Sequence, residues 1–136
     1  MIGLIIVTHA GLATELLAAA ESIVGPVPYV SCFAVDSSVD LDIISSKMQL
    51  AVDEVGVTGD GVLIMTDLFG GTPANVSARF LKKDVVEVVN GVNLPMLIKF
   101  SSSRESMSLT VLAGFMKNYG QKSIVLTSDI LCNLES

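Results

Sequence analysis

The chain has 136 residues, of which 51% are apolar and 16% are charged, and its formal net charge is −6. This length predicts one domain over residues 1–136 with a sizeable core, since such a chain buries roughly two thirds of its unfolded surface. An acidic chain has no basic surface for a nucleic acid. No apolar run reaches the ~18 residues of a membrane span and no basic region opens the chain, so we expect a cytoplasmic protein.

The first part of the chain predicts a strand, a helix and a second strand. Residues 2–7 are nearly all apolar, which is typical of a short strand covered on both faces. From Leu12 the apolar residues follow a helical period, which ends at Gly25. Residues 29–35 then predict the second strand.

A second helix is predicted between a pair of serines and Gly56. Ser37 and Ser38 are its candidate caps, and Asp40 and Asp42 fall in its first turn, where the helix dipole favours negative charge. Its apolar stripe consists of Leu41, Ile44, Met48, Ala51, Val52 and Val55.

The remaining chain continues the alternation. Residues 61–65 and 85–89 predict a third and a fourth strand, and Thr72 is placed to cap the helix between them, with Pro73 as its first residue. A helical region follows and is predicted to break near its serine cluster, since a separate stripe comes after it: Met107, Val111, Leu112, Phe115, Met116 and Tyr119. Residues 123–127 predict a fifth, shorter strand.

This pattern predicts an α/β fold with a doubly wound, mostly parallel sheet and helices on both faces. We expect the strand order 2-1-3-4 plus the short C-terminal strand. Ligands of such sheets bind at the carboxyl ends of the strands, where the strand order reverses. His9 follows the first strand and Asp67 the third. In the expected order these strands are neighbours, so the two side chains can meet.

His9 is the only histidine, and Asp67 is the candidate to orient it. An imidazole can carry a phosphoryl group only if one ring nitrogen keeps a free lone pair, so the other must hold the proton. A carboxylate that accepts the hydrogen bond of that proton fixes the tautomer and stabilises the cation formed during transfer. The pair therefore predicts a nucleophilic histidine.

The loop after Asp67 is a candidate phosphate cradle. Gly70, Gly71 and Thr72 provide unshielded backbone N–H groups at a helix start, and Ala10 with Gly11 opens the first helix in the same way. Neither loop contains Lys or Arg, which suits a carrier better than a hydrolase or kinase.

Each of these features also has a plain structural explanation. His9 could be an ordinary partly exposed residue, Asp67 could cap a turn, and the glycine pair could be a tight helix start without a ligand. The phosphate-binding GxxxxGK[ST] pattern is absent. The phosphate interpretation depends on the placement of both side chains at consecutive strand ends. The two cysteines, Cys32 and Cys132, predict neither a disulfide framework nor a metal site.

Three segments carry a resemblance to a known family. They are Val-Thr-His at 7–9, Thr-Asp-Leu-Phe-Gly-Gly-Thr-Pro at 66–73 and Gly-Val-Asn-Leu-Pro-Met-Leu at 91–97. With them the chain resembles, over essentially its whole length, the enzyme IIA component of the mannose-type sugar phosphotransferase system. The resemblance implies a doubly wound fold and a single IIA domain over 1–136.

The resemblance also implies roles and partners. His9 would accept phosphate from the carrier protein HPr and pass it to a IIB component for sugar uptake, with Asp67 as its hydrogen-bonded partner. Thr8, Gly70, Gly71 and Thr72 would surround the phosphate. The resemblance further implies a homodimer to which the C-terminal strand contributes, no cofactor or metal, and contact with the membrane only through the permease.

Two departures from the family pattern alter the surface on which partners would dock. Ala10 stands where the family often has glycine, and Leu68 with Phe69 replaces a tryptophan of some members. Leu12, Leu68 and Phe69 are candidates for an apolar rim, with core packing as the competing explanation. A second function remains open, that of a regulatory phosphoprotein that reports sugar supply without a transport partner. The phosphocarrier subunit of dihydroxyacetone kinase shares the implied fold but fits the 67–73 segment less well.

Overall fold

The computed structural model describes residues 1–131 and contains four strands and six helices. In chain order these are β1 (Gly3–Thr8), α1 (Leu12–Val24), β2 (Val30–Ala34), α2 (Leu41–Val55), β3 (Val62–Thr66), α3 (Thr72–Ala78), β4 (Val86–Asn90), α4 (Leu94–Ser103), α5 (Leu109–Lys122) and α6 (Thr127–Leu131). The predicted break in the last helical region is confirmed. Cys132 lies outside the described residues.

The strands form one parallel sheet in the order β2-β1-β3-β4, which confirms the predicted class and order. β1 and β3 lie in the centre and every residue in them is buried, as their apolar sequences require. In the register between them, Val7 is opposite Thr66. The residues that follow these two strands, His9 and Asp67, therefore emerge side by side at the carboxyl edge of the sheet.

Alternating side chains of the sheet supply two separate cores. On β3, Leu63 and Met65 face one side, where they join a cluster with residues of α1, α4 and α5, including Phe100. Ile64 faces the other side and packs in a cluster with α2 and α3, including Met48. The period of two along a strand thus explains how one short apolar segment holds helices on both faces.

The predicted caps of two helices are wrong. Asp40 caps α2, since its carboxylate accepts hydrogen bonds from the N–H groups of Asp42 and Ile43 at 2.9 and 3.4 Å. Ser38 is used in a turn instead, where its N–H and hydroxyl both donate to Asp36. Gly71 occupies the cap position of α3, and Thr72 is the first helical residue.

Residues 123–127 do not form the predicted fifth strand in this chain. Ser123 follows α5 as its cap residue, an exposed apolar stretch of residues 124–126 comes next, and α6 begins at Thr127. The Asn93 amide fixes the end of α5 by donating to Gly120 O at 3.3 Å and Ser123 Oγ at 3.1 Å. A strand needs a neighbouring edge for its backbone hydrogen bonds, and within the described residues this segment pairs with none.

Candidate functional site

The structure brings His9 and Asp67 into direct contact. Oδ2 of Asp67 lies 2.8 Å from Nδ1 of the imidazole and also accepts the His9 backbone N–H at 2.8 Å. The other carboxylate oxygen, Oδ1, accepts the N–H of Leu68 at 3.0 Å. One carboxylate therefore holds both the ring and the main chain of the histidine, which fixes its position more firmly than a single bond would.

The two side chains differ in exposure. The His9 side chain is 45% exposed, whereas that of Asp67 is only 10% exposed. Partial burial by itself raises the pKa of Asp67, but the hydrogen bonds from the His9 backbone and ring outweigh it and hold this pKa below its usual value. Asp67 is thus an anion at neutral pH, as an acceptor for the Nδ1 proton must be.

The far side of the imidazole faces the start of α3. A Cβ added to Gly71 would lie 3.0 Å from Cε1 of His9 and 3.4 Å from Nε2, so any larger residue would push the ring aside by a few tenths of an ångström. Gly70 has a φ of +94°, a left-handed conformation that favours glycine, and nothing lies near its missing Cβ. Within residues 1–131, no hydrogen bond engages Nε2.

Thr8 and Ala10 shape the loop that carries the histidine. The Thr8 side chain is fully buried, and its hydroxyl accepts the Ala13 N–H at 2.8 Å and donates to the His9 carbonyl at 3.1 Å. These bonds hold the loop against the first turn of α1, so the hydroxyl lies beneath the loop and not at its surface. Ala10 has a φ of 48°, a conformation that usually selects glycine.

Exposed apolar side chains follow both site residues in the chain. Leu12, Leu68 and Phe69 are 45%, 49% and 83% exposed, so none of the three is part of the core. The structure therefore favours the surface interpretation of these residues over core packing. An exposed apolar rim around a polar centre is typical of a surface that binds another protein.

Sequence reasoning missed three polar residues near this site. Asp36, in the loop after β2, is close enough for His9 to contribute to the lowering of its pKa, although hydrogen bonds from Ser38 are the larger cause. Thr66 and Asn90 end neighbouring strands in register, and the Thr66 hydroxyl donates to Asn90 Oδ1 at 2.6 Å. Polar residues at the ends of otherwise apolar strands were the available signal for this pair.

The fold and the site define a class of protein: a doubly wound α/β domain that presents a carboxylate-bound histidine where the strand order reverses. The family model described as "PTS system fructose IIA component" matches residues 3–115. The chain belongs to this family, the mannose-type enzyme IIA components of the phosphotransferase system (PTS). The resemblance found in the sequence is thereby confirmed. None of the helices within residues 1–131 has the length and apolar character needed to cross a membrane.

Relatives and solved structures agree with this assignment. The chain is 37% identical over 114 residues to the sorbose-specific EIIA component of Lacticaseibacillus casei, which covers 83% of this chain and 81% of the relative. It is 30% identical over 105 residues to the mannose-specific EIIAB component of Escherichia coli K12, covering 76% of this chain but only 32% of that protein. The crystal structure of an EIIA from Streptococcus agalactiae superposes with a TM-score of 0.83 at 28% identity, covering 95% and 99% of the two chains.

Proposed function

We propose that this chain, as a single IIA domain over residues 1–136, is a phosphocarrier in which His9 accepts a phosphoryl group from phospho-HPr and passes it to a IIB component for sugar uptake. The observation that carries the proposal is the contact of Asp67 with Nδ1 of His9 at 2.8 Å, which leaves Nε2 as the free nitrogen. Membership of the PTS EIIA family supports the same role.

The proposed transfer uses the two ring nitrogens differently. Nδ1 keeps its proton, which Asp67 binds, and the Nε2 lone pair attacks phosphorus. The bond between phosphorus and the donor breaks, and the donor keeps that electron pair. In this proposal Asp67 stabilises the positive charge that the ring acquires, and backbone N–H groups of Gly70, Gly71 and Thr72 bind the phosphate oxygens. Thr8 supports the loop through its buried hydroxyl.

The absence of a cationic side chain from the two site loops suits reversible transfer. Residues 9–11 and 67–72 contain no Lys or Arg. Dipolar N–H groups neutralise less of the phosphate charge than a guanidinium or a metal ion would, so the phosphoryl group is held without becoming trapped. The same reasoning leads us to propose that the transfer requires no cofactor or metal.

Incubation with phosphoenolpyruvate, enzyme I and HPr tests the proposal. We expect acid-labile phosphate on the wild-type protein and none on His9→Ala, with HPr phosphorylation unchanged in both reactions. Transfer to a cognate IIB should then discharge the label. Label that persists in His9→Ala would exclude His9 as the acceptor. Label that forms normally but reaches no IIB would favour the regulatory alternative.

We also propose that the protein is a homodimer whose two subunits associate through the outer edge of β4. Apart from one antiparallel bridge between Val86 and Lys82, nothing pairs with this edge within the described residues. Beside it, a groove of about 570 Å³ runs between β4 and α5 and extends from Phe69 to Ile124. Ile124, Val125 and Leu126 are 82%, 58% and 64% exposed, and a second copy could cover them. Sedimentation analysis of the wild type and of Val125→Asp tests this, since the charge should shift the protein towards monomer.

The proposed partners place the reaction in the cytoplasm. HPr and the IIB component would approach the apolar rim formed by Leu12, Leu68 and Phe69, and contact with the membrane would be only indirect, through the permease. Phe69→Ala should therefore raise the KM for phospho-HPr without altering the fold, because the side chain is almost entirely outside the core.

A further inference from the structure

Thr66, the residue before Asp67, is tied to the end of β4. Its hydroxyl, fully buried, lies 2.6 Å from Oδ1 of Asn90 and 3.3 Å from the Leu68 carbonyl oxygen. The carbonyl oxygen of Thr66 accepts the N–H groups of Gly91 and Val92, both at 2.9 Å. The backbone that leads into Asp67 therefore cannot turn independently of the end of β4.

A series of contacts leads from β4 to the histidine. The single proton of the Thr66 hydroxyl goes to Oδ1 of Asn90, and Thr66 is joined directly to Asp67 along the chain. The Leu68 carbonyl oxygen only lies near the same hydroxyl, and the N–H of Leu68 donates to Oδ1 of Asp67 at 3.0 Å. The remaining carboxylate oxygen then contacts His9 twice. Each member of the series restricts the position of the next, and the last is the imidazole.

Packing alone does not explain a hydroxyl at position 66. The preceding four residues of β3 are buried and apolar, and a valine has nearly the shape of threonine. A buried hydroxyl destabilises the fold unless its hydrogen bonds are made, so its presence here implies a use for those bonds. Thr8 occupies the corresponding place at the end of β1, but its hydroxyl bonds to Ala13 at the start of α1 and not to the Asp67 loop.

We propose that Thr66 and Asn90 are positioning residues, which hold the loop of Asp67 so that one carboxylate oxygen meets both the backbone N–H and Nδ1 of His9. This inference rests on the proposed function of His9 as phosphoryl acceptor. Neither residue touches the reacting atoms. Their effect is to keep the imidazole in one tautomer and one orientation. The ring is thereby held in the geometry that the transfer needs, which raises the rate.

A matched pair of variants separates the hydrogen bond from packing. Thr66→Val removes the hydroxyl and keeps the branched shape, whereas Thr66→Ser keeps the hydroxyl and removes a methyl group. We expect the rate of phosphorylation by phospho-HPr to fall about tenfold in Thr66→Val and to stay within about twofold of wild type in Thr66→Ser. Asn90 is half-buried, and Asn90→Ala should lower the phosphorylation rate as much as Thr66→Val does. Asn90→Ala serves as the test if Thr66→Val does not fold.

A double-mutant cycle tests whether the pair acts through the carboxylate. In the Asp67→Asn background, Thr66→Val should lower the rate by less than twofold further, because the bond that it positions is already impaired. An equal tenfold loss in both backgrounds, or a wild-type rate in both Thr66→Val and Asn90→Ala, would overturn the proposal.

Nuclear magnetic resonance of the ¹⁵N-labelled ring gives a readout that does not depend on phosphorylation. The wild type and Thr66→Ser should show one tautomer, with the proton on Nδ1, and Thr66→Val should show a mixture of the two. If the wild type were not phosphorylated by HPr, the proposed function would fail, yet the tautomer comparison would still decide the positioning role. A single Nδ1 tautomer in both Thr66→Val and Asn90→Ala would exclude it.

Discussion

Gly71→Ala places a methyl group against the imidazole of His9 and leaves the backbone unstrained. Gly71 has φ −95° and ψ 176°, which is extended backbone that alanine adopts readily. The new Cβ would lie 3.0 Å from Cε1, 3.4 Å from Nε2 and 3.7 Å from Cδ of Pro73. Ordinary contacts of a Cβ begin at about 3.4 Å, so the ring must move by a few tenths of an ångström or rotate.

The structure predicts a small effect of this substitution on stability and a large effect on activity. Replacing glycine at a compatible backbone position stabilises a protein by about 0.4–1 kcal/mol, which offsets part of the cost of the close contact. The free energy of unfolding should therefore stay within about 1 kcal/mol of wild type. The ring, however, can move only away from Gly71, which disturbs its 2.8 Å bond to Asp67, and the methyl group covers the approach to Nε2. We expect phosphorylation to slow by about 10- to 100-fold.

The assay compares the rate of acid-labile phosphate incorporation with the midpoint of chemical unfolding. Gly11→Ala is the control, because it adds the same methyl group to the other site loop, where nothing lies within 4 Å and φ is −85°. That variant should be phosphorylated at the wild-type rate, and its free energy of unfolding should stay within about 1 kcal/mol of wild type. If Gly71→Ala were phosphorylated at the wild-type rate, the imidazole would not be the reacting group in the orientation seen here. If Gly71→Ala unfolded, the contact between the new methyl group and the imidazole would destabilise the protein more than the geometry indicates.

Three further predictions concern the carboxylate, a buried cation and a thiol. Asp67→Asn should lower the phosphorylation rate at least tenfold with an unchanged circular dichroism spectrum, and an unchanged rate would remove Asp67 from the mechanism. Arg104→Met should lower the free energy of unfolding by about 3 kcal/mol in urea, since the buried guanidinium donates to the carbonyls of Ile2, Pro28 and Tyr29; a loss below about 1 kcal/mol would contradict this. Burial, with a smaller effect of Glu21, raises the pKa of Cys32 from 9.0 to about 11. In a Cys132→Ser background, alkylation at pH 8 should therefore be roughly 100-fold slower than that of an ordinary thiol and should accelerate as the pH rises towards 11, whereas alkylation at an ordinary rate would refute the burial argument.

Most of the architecture could be predicted because it depends on local patterns. Continuous apolar runs predicted the two central strands, β1 and β3, and the order 2-1-3-4 was the expectation for a doubly wound sheet, which the structure confirms. The expected meeting of His9 and Asp67 needed only the rule that parallel strands end at one edge. Where the predictions were wrong, two local explanations competed. Ser38 and Asp40 are both good caps, and only the turn around Asp36 decides between them.

The segment at residues 123–127 shows a different limit. Its β-branched and apolar residues favour a strand, but a strand forms only where an edge is available for pairing. In this chain the segment lies beyond α5, and its apolar side chains remain exposed. Local propensity could not reveal this, since the neighbouring edge that a strand needs is not a property of the segment itself.

The fold class and the candidate pair of histidine and carboxylate could be inferred from the sequence. Periods of two and 3.6 residues are properties of the chain, so they can be read without coordinates. The three-dimensional structure was needed to show that one oxygen of Asp67 binds His9 twice, that the ring lies where a Cβ on Gly71 would press against it, and that Thr66 joins this loop to β4. These contacts join residues that are distant in the chain: Gly71 lies 62 positions after His9 (71 − 9 = 62). Their geometry depends on how the sheet twists and how its loops turn, which no local period records.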